Sequence, residues 1–347
     1  MQQKKSANIK TSIIYSGSIG ILIGIIVSYI FFSSIEPQEQ VESESQRSIS
    51  NNYEFIEPLL ECEDTSDTKS RKYIPFEKEL KQSILDYQTK NHPNTELSLY
   101  FRDLRNGPWF SINYQEWFYP ASLLKMPTLI GYVRWAEIDP SILGKKIKVE
   151  KLTDYVQNIQ PEKSAEIGKE YSVEELLELM VLYSDNNASN SLLAHMPWEI
   201  ESDVFSTLQV PSPRNETAET YKINVKEFAS FFRILYNASY LTNAGSEAVL
   251  NLLSRVTFNK WITGKLPKDV KVAHKFWERI YTEKDGSGNE VIKSQLHDCG
   301  IIYYTDNPYL LCMMTRGDSL DELSMMTQDI SKMIYDTWDT TRKQAKK

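Results

Sequence analysis

What most limits the fold is the order in which two periodicities appear along the chain. Apolar residues alternate over Leu97–Asp103 and again over Trp109–Ile112, with the hairpin signal Asn106-Gly107 between them. The period then becomes helical. A helix is expected from Ser122 to about Glu137, stopping near Asp139-Pro140, and others over Val173–Tyr183, Asn187–His195, Val225–Tyr236 and Ser246–Arg255. Lys145–Glu150 reads as a short strand. Strand character returns at Val270–Glu278, Gln295–Tyr304 and Tyr309–Arg316, separated by Asp285-Gly286-Ser287-Gly288 and Asp306-Asn307-Pro308. A helix over Phe76–Lys90, with Phe76, Leu80, Ile84 and Tyr87 on one face, opens the series, and an amphipathic helix over Leu320–Thr341 closes it. This order predicts an α+β domain over 73–347: one antiparallel sheet built from both chain ends, with helices on its faces.

The residues before 73 have another character. Residues 1–10 carry Lys4, Lys5 and Lys10, and 11–35 carry no charge. Beyond them, Arg47 is the only basic residue before Lys69. The uncharged run is long enough for one transmembrane helix. The charge asymmetry puts the amino terminus in the cytoplasm and the rest outside. A cleaved signal peptide is the alternative; the length of the run and the lack of a small-x-small site favour an uncleaved anchor. Residues 36–72, rich in Glu, Gln, Ser and Asn, read as a solvated stalk, with an apolar patch at Phe55–Leu60 suited to docking.

A net charge of −8 argues against a nucleic-acid partner. Cys62, Cys299 and Cys312 fit no zinc spacing, so neither a structural metal nor a cofactor is expected. Cys299 and Cys312 flank the turn at Thr305–Pro308, which suits either a cross-strand disulfide or two buried thiols.

The candidate chemistry lies in Tyr119–Gly131. Ser122 and Lys125, three residues apart, share one helix face. A serine hydroxyl attacks a carbonyl only when a neighbour takes its proton. Lysine does so only when burial or a nearby cation favours the neutral amine. Leu123, Leu124, Met126, Leu129 and Ile130 supply apolar surroundings. A second Ser-x-x-Lys, Ser66 to Lys69, lies in a polar stretch and reads as chance. Ser184-Asp185-Asn186 forms a polar break between two apolar helices, and Lys275 lies on a late strand.

Pro120-Ala121-Ser122-Leu123-Leu124-Lys125, then Ser184-Asp185-Asn186, then His274-Lys275, resemble the class A β-lactamases and the wider penicillin-recognising serine hydrolases in order and context. The resemblance covers Tyr73 to the C-terminus. It implies a three-layer α/β sandwich with a cleft between the sheet edge and an all-helical half. It also implies that Ser122 is the acylated nucleophile, Lys125 its base, Ser184 a proton relay and Asn186 a holder of the substrate amide. Lys275 would supply positive charge, and the N–H groups of Ser122 and Glu278 an oxyanion hole.

Two departures accompany it. The third motif reads Lys275-Phe276-Trp277, where the family has a hydroxyl residue and then glycine. Phe276 has no hydroxyl to grip a carboxylate, and a Trp277 ring is expected to narrow or roof the cleft. The loop Pro211–Glu219 also lacks the Glu-x-x-Leu-Asn pattern that activates water, leaving Glu216 and Glu219 as weak candidates for a deacylating base. A separate Ser-His-Asp arrangement using His274 or His297 with Asp298 is a further alternative.

The expectation is a membrane-anchored, extracytoplasmic bacterial serine hydrolase acting on a β-lactam or a D-alanyl cell-wall peptide. The rival is a weakly active or inactive ectodomain of the same fold that binds wall peptide or a protein partner.

Overall fold

A computed structural model describes residues 53–58, 74–150, 161–213, 216, 220–284 and 286–345. The expected tail 1–10, anchor 11–35 and most of the stalk lie outside the described residues, as does Glu219. Among the described residues no helix is long and apolar enough to cross a membrane.

The elements follow the periodicities. Helix α1 is Glu77–Asn91, and strands β1 (Glu96–Asp103) and β2 (Trp109–Ile112) form the first hairpin. A two-residue strand β3, Trp117–Phe118, leads to a 3-10 turn, Ala121–Leu124, and helix α2, Lys125–Ile138. Short strands β4 (Lys146–Lys148) and β5 (Glu170–Ser172) pair before α3, Val173–Leu182. Then come α4 (Asn186–His195), α5 (Trp198–Thr207), β6 (Ile223–Asn224), α6 (Val225–Tyr236) and α7 (Asn243–Ser254). Strands β7 (Val272–Lys284), β8 (Glu290–Ile302) and β9 (Tyr309–Gly317) precede the final helix α8, Leu320–Ala345. Capping boxes at Ser172/Glu175 and Asn224/Glu227 fix where α3 and α6 begin.

The five long strands form one antiparallel sheet in the order β2-β1-β9-β8-β7, so the two chain ends meet at the β1–β9 pair as expected. Alternation sorts the side chains between two cores. Leu97, Leu99 and Phe101 pack with Ile84 of α1 and Ile330, Ile334 and Trp338 of α8. Tyr100, Cys312 and Met314 face the opposite core, built with α2 to α7. The result is helix, sheet, helix: the α+β sandwich read from the sequence.

Several local expectations need correction. Trp198–Thr207 is helical, although its short amphipathic pattern points clearly to neither strand nor helix. The expected strands Val270–Glu278 and Gln295–Tyr304 extend into a longer hairpin, because Ile280, Tyr281, Thr282, Val291 and Ile292 are good strand formers. The Ser122 helix opens as a 3-10 turn, with Ala121 at φ +34. Cys299 and Cys312 lie directly opposite on β8 and β9 and are joined by a disulfide, which resolves the two alternatives. Part of the expected stalk is docked. Phe55 and Ile56 are buried, and the Glu247 carboxylate accepts the N–H groups of Glu54, Phe55 and Ile56 at 2.8, 3.0 and 3.2 Å.

Gly300 is required where β8 meets β7. A Cβ there would lie 2.5 Å from the Cβ of His274 and 2.6 Å from the Ala273 carbonyl oxygen. That close approach seats β7 immediately before Lys275.

Candidate active site

Three segments converge where the 3-10 turn packs against β7. Ser122, half-buried, stands in the turn, and Lys125 begins α2, only 4% exposed. Ser184 ends α3 in a left-handed conformation, φ +54, which costs a non-glycine residue on the order of 1 kcal/mol. That turn aims both its oxygens at Lys125. The Lys125 amine donates to the Ser184 carbonyl, contacts Ser184 Oγ at 3.3 Å and donates to Asn186 Oδ1 at 2.8 Å. From the edge strand, Lys275 reaches the same hydroxyl, Nζ to Oγ 2.9 Å, and is 1% exposed.

Two buried amines on one hydroxyl have a direct electrostatic consequence. Burial first, and the Lys275 charge second, push the Lys125 amine well below the ordinary lysine range; Asp185 pulls weakly the other way. Burial also lowers Lys275, to about 7, against the opposing attraction of Asp298. Lys125 is therefore suited to be a neutral base and Lys275 a titrating cation near neutrality. A neutral amine has two N–H groups. The Ser184 carbonyl and Asn186 Oδ1 accept them, so the lone pair is left facing Ser184 Oγ. Among the described residues the hydrogen-bond partners of the Lys125 amine are Ser184 and Asn186, and it makes no hydrogen bond to the Ser122 hydroxyl. With Oδ1 on Lys125, Asn186 offers a substrate its Nδ2 donor.

The residue that holds the loop is Asp185, which the sequence reading quoted without a role. It is the N-cap of α4, accepting from Ala188 N at 2.8 Å, and it also accepts from Ser164 Oγ at 2.5 Å and Ala165 N at 3.1 Å. An acid at a helix start between two polar neighbours is the signal that marks it.

The third motif is arranged otherwise than expected. Trp277 does not roof the cleft: it is 6% exposed, and its ring packs at 4.8 Å from the ring of His297, directly across the β7–β8 ladder. Burying a large ring in the sheet face gains more than holding it in water. Phe276 stacks on Phe258 at 4.0 Å and meets Trp261 edge-on. The Lys275 ammonium lies 4.6 Å from the centre of the Phe276 ring, which is itself buried in the core on the other face of the sheet and brings no hydroxyl to the site. Glu278 sits half-buried farther along β7, opposite Leu296.

The triad alternative is not assembled. His274 Nδ1 lies 2.9 Å from Asp298 Oδ1 in a buried pair. By alternation both share the face of Phe276, Leu296 and Met313, opposite the site. His297, on the site face, is held neutral by burial, lowered to about 3, and accepts from Thr315 N. Glu216 is exposed; with Pro120, Ala121, Leu124, Phe205 and Tyr221 it lines a cavity of about 220 Å³ beside the turn that carries Ser122.

A family model described as the Beta-lactamase enzyme family matches residues 75–338. Among curated proteins none matches the chain. The fold is similar to a variant of PBP-A solved as an acyl-enzyme complex with penicillin G, with TM-score 0.60, 20% identity, 76% of this chain and 97% of that one covered. It is similar also to the TLA-1 extended-spectrum β-lactamase, with TM-score 0.62, 18% identity and coverage of 75% and 98%. A class A β-lactamase from Bacteroides cellulosilyticus gives TM-score 0.60, 15% identity and coverage of 76% and 98%.

Proposed function

The chain belongs to the beta-lactamase enzyme family, and from that premise we propose that it is a serine hydrolase acting by acyl transfer through Ser122. One observation carries the reading: two buried lysines, from α2 and from β7, meet at the hydroxyl of Ser184 one helical turn from a half-buried serine. A purely structural core has no use for two desolvated amines, each of which costs several kcal/mol to bury charged.

In this reading Lys125 swings from Ser184 to Ser122, takes its proton, and the alkoxide adds to a carbonyl carbon. The resulting oxyanion is held by the N–H groups of Ser122 and Glu278. As the carbon–nitrogen bond breaks, the proton passes from Lys125 through Ser184 to the leaving nitrogen, with Lys275 stabilising the relay. Asn186 Nδ2 holds the substrate amide. Water then cleaves the acyl-enzyme, with Glu216, which lines the cavity beside the turn, the described candidate for its base.

The substrate class proposed is a β-lactam or a D-alanyl wall peptide, because a variant of PBP-A, of the same fold, is an acyl-enzyme complex with penicillin G. The uncharged run 11–35 supports a single-pass anchor with the domain outside the bacterial cytoplasmic membrane, and the Cys299–Cys312 disulfide accords with an oxidising compartment.

The rival, a binding ectodomain without turnover, is favoured by Phe276-Trp277 standing where the family has a hydroxyl residue and glycine. Intact-protein mass spectrometry after incubation with benzylpenicillin separates the two. Ser122→Ala is expected to abolish a covalent adduct that the native chain forms. Equal labelling of both refutes the role of Ser122, and ligand binding with neither adduct nor turnover favours the rival.

A further inference from the structure

Strands β7 and β8 run on together beyond the rest of the sheet. Strand β9 ends at Gly317, opposite Ser294, while β7 and β8 stay paired from Ile280 and Ser294 out to Lys284 and Glu290. Among the described residues no strand lies on the outer side of β7, and none lies on β8 before Ser294. A two-stranded ribbon alone in water is marginally stable at best. This one nonetheless carries Ile280, Tyr281, Thr282, Val291 and Ile292, with Ile280 and Ile292 exposed. Thr282 pairs with Ile292, and alternate residues share a face, so both isoleucines and Thr282 lie on one side of the ribbon.

One bond fixes which backbone groups of β7 point away from β8. Tyr303 N donates to the Lys271 carbonyl at 3.0 Å, and these two residues continue the β7–β8 register. In an antiparallel ladder every second residue bonds its neighbour strand through both its N–H and its C=O. In steps of two from Lys271, residues Lys275, Arg279, Tyr281 and Glu283 turn inward to β8. Glu278, Ile280, Thr282 and Lys284 turn their N–H and C=O outward. The same set points outward in every copy of the chain. Two copies of this edge therefore pair antiparallel only about an axis through a residue. At Tyr281 the axis sets Ile280 opposite Thr282 of the second copy, Arg279 opposite Glu283, and Glu278 opposite Lys284, so no like charges meet. An axis at Ile280 sets Trp277 against Glu283, and one at Thr282 sets Ile280 against Lys284; each matches an apolar side chain with a charge. Arg279 keeps its place over the rings of Tyr119 and Tyr281, and a guanidinium has donors for a further acid.

We propose that the β7 edge from Arg279 to Glu283 is a dimerisation surface, on which a second copy of this chain adds its own β7, antiparallel and centred on Tyr281. Ile280 and Thr282 of each copy exchange backbone hydrogen bonds with Thr282 and Ile280 of the other, and the two ribbons become one continuous sheet. Ile292, Thr282 and Ile280 of the second copy then lie side by side on one face, covering aliphatic surface that a lone ribbon leaves in water. The ladder starts one residue past Glu278, whose N–H stays turned to the cleft. Pairing of this kind is independent of whether Ser122 is acylated.

Disulfide trapping on the full chain in detergent tests it, in a Cys62→Ser background because Cys299 and Cys312 are already joined. At the axis Tyr281 faces its own counterpart in a non-hydrogen-bonded pair, with Cα atoms about 4.5 Å apart, within disulfide reach. Under mild oxidant Tyr281→Cys is expected to form a covalent dimer at least about tenfold faster than Ile280→Cys or Thr282→Cys, whose counterparts lie off the axis. Thr282→Pro removes an N–H that points outward and leaves the β7–β8 bonds intact, so adding it to Tyr281→Cys should abolish the trapping. Equal trapping at the three positions, or trapping that Thr282→Pro leaves unchanged, overturns the ladder. So does a native chain that sediments as a monomer. Slow hydrogen exchange at the Ile280 and Thr282 N–H groups of such a monomer would assign the edge to another segment of the same chain and rule out the second copy.

Discussion

Replacing Lys275 by methionine should change the pH dependence of acylation more than its maximum. Lys275 Nζ and Lys125 Nζ lie 2.9 and 3.3 Å from the same Ser184 Oγ, so the two nitrogens are no more than about 6 Å apart. At that separation and an effective dielectric near 20, two unit charges repel by roughly 3 kcal/mol. That repulsion disfavours protonated Lys125 by about a hundredfold. The sign follows from the two amines. Lys275, lowered to about 7, is charged below that pH and keeps Lys125 neutral there. Without it Lys125 holds its proton to higher pH, and the base is lost on the acidic side. Above pH 7 the native Lys275 loses its own charge, so the two proteins differ only by the missing hydrogen bond to Ser184. Adduct formation with benzylpenicillin, followed from pH 5 to 9, should therefore show a native-to-variant ratio that is up to about a hundredfold larger at the acid end. Lys275→Arg, which keeps the charge at every pH, should not show the acid-side loss. A ratio constant across the range would refute the claim that Lys275 tunes the base.

Asp185→Ala leaves the N–H groups of Ala165 and Ala188 and the Ser164 hydroxyl without their carboxylate, and should cost about 2–4 kcal/mol in denaturant unfolding. A loss below about 0.5 kcal/mol would show that the loop is held by something else. Trp277→Gly, which restores the residue of the family pattern, should lower stability by about 3–5 kcal/mol because the ring fills core against His297. Unchanged stability with faster acylation would show instead that the ring obstructs the cleft.

Much of this architecture was written in local periodicity. The hairpin β1–β2, helices α3, α6 and α7, the final strands and the helix α8 each follow from which residues repeat at two or at three to four positions, because one buried face imposes that repeat. The motif residues were legible too, since a serine and lysine one turn apart and a polar break between apolar helices are contiguous in the chain. Helix α5 was missed because a ten-residue amphipathic segment gives too few repeats to stand out. The long reach of β7 and β8 was missed because Ile280 and Ile292 are exposed at 47% and 65% and follow no buried alternation.

The sequence by itself determined most of the helices and strands and marked the candidate motif residues, because each of these depends on neighbours a few residues away. Only the tertiary structure decided what those side chains meet. Lys275 and Ser184 are separated by 91 residues, and their contact exists because Gly300 lets β8 seat the edge strand against the helical half. The direction of the Trp277 ring, the staple from Asp185 to residues 164 and 165 and the docking of Phe55 under the Glu247 carboxylate belong to the same class. Each is a choice among partners distant in sequence, settled by packing and desolvation, for which a linear pattern carries no record.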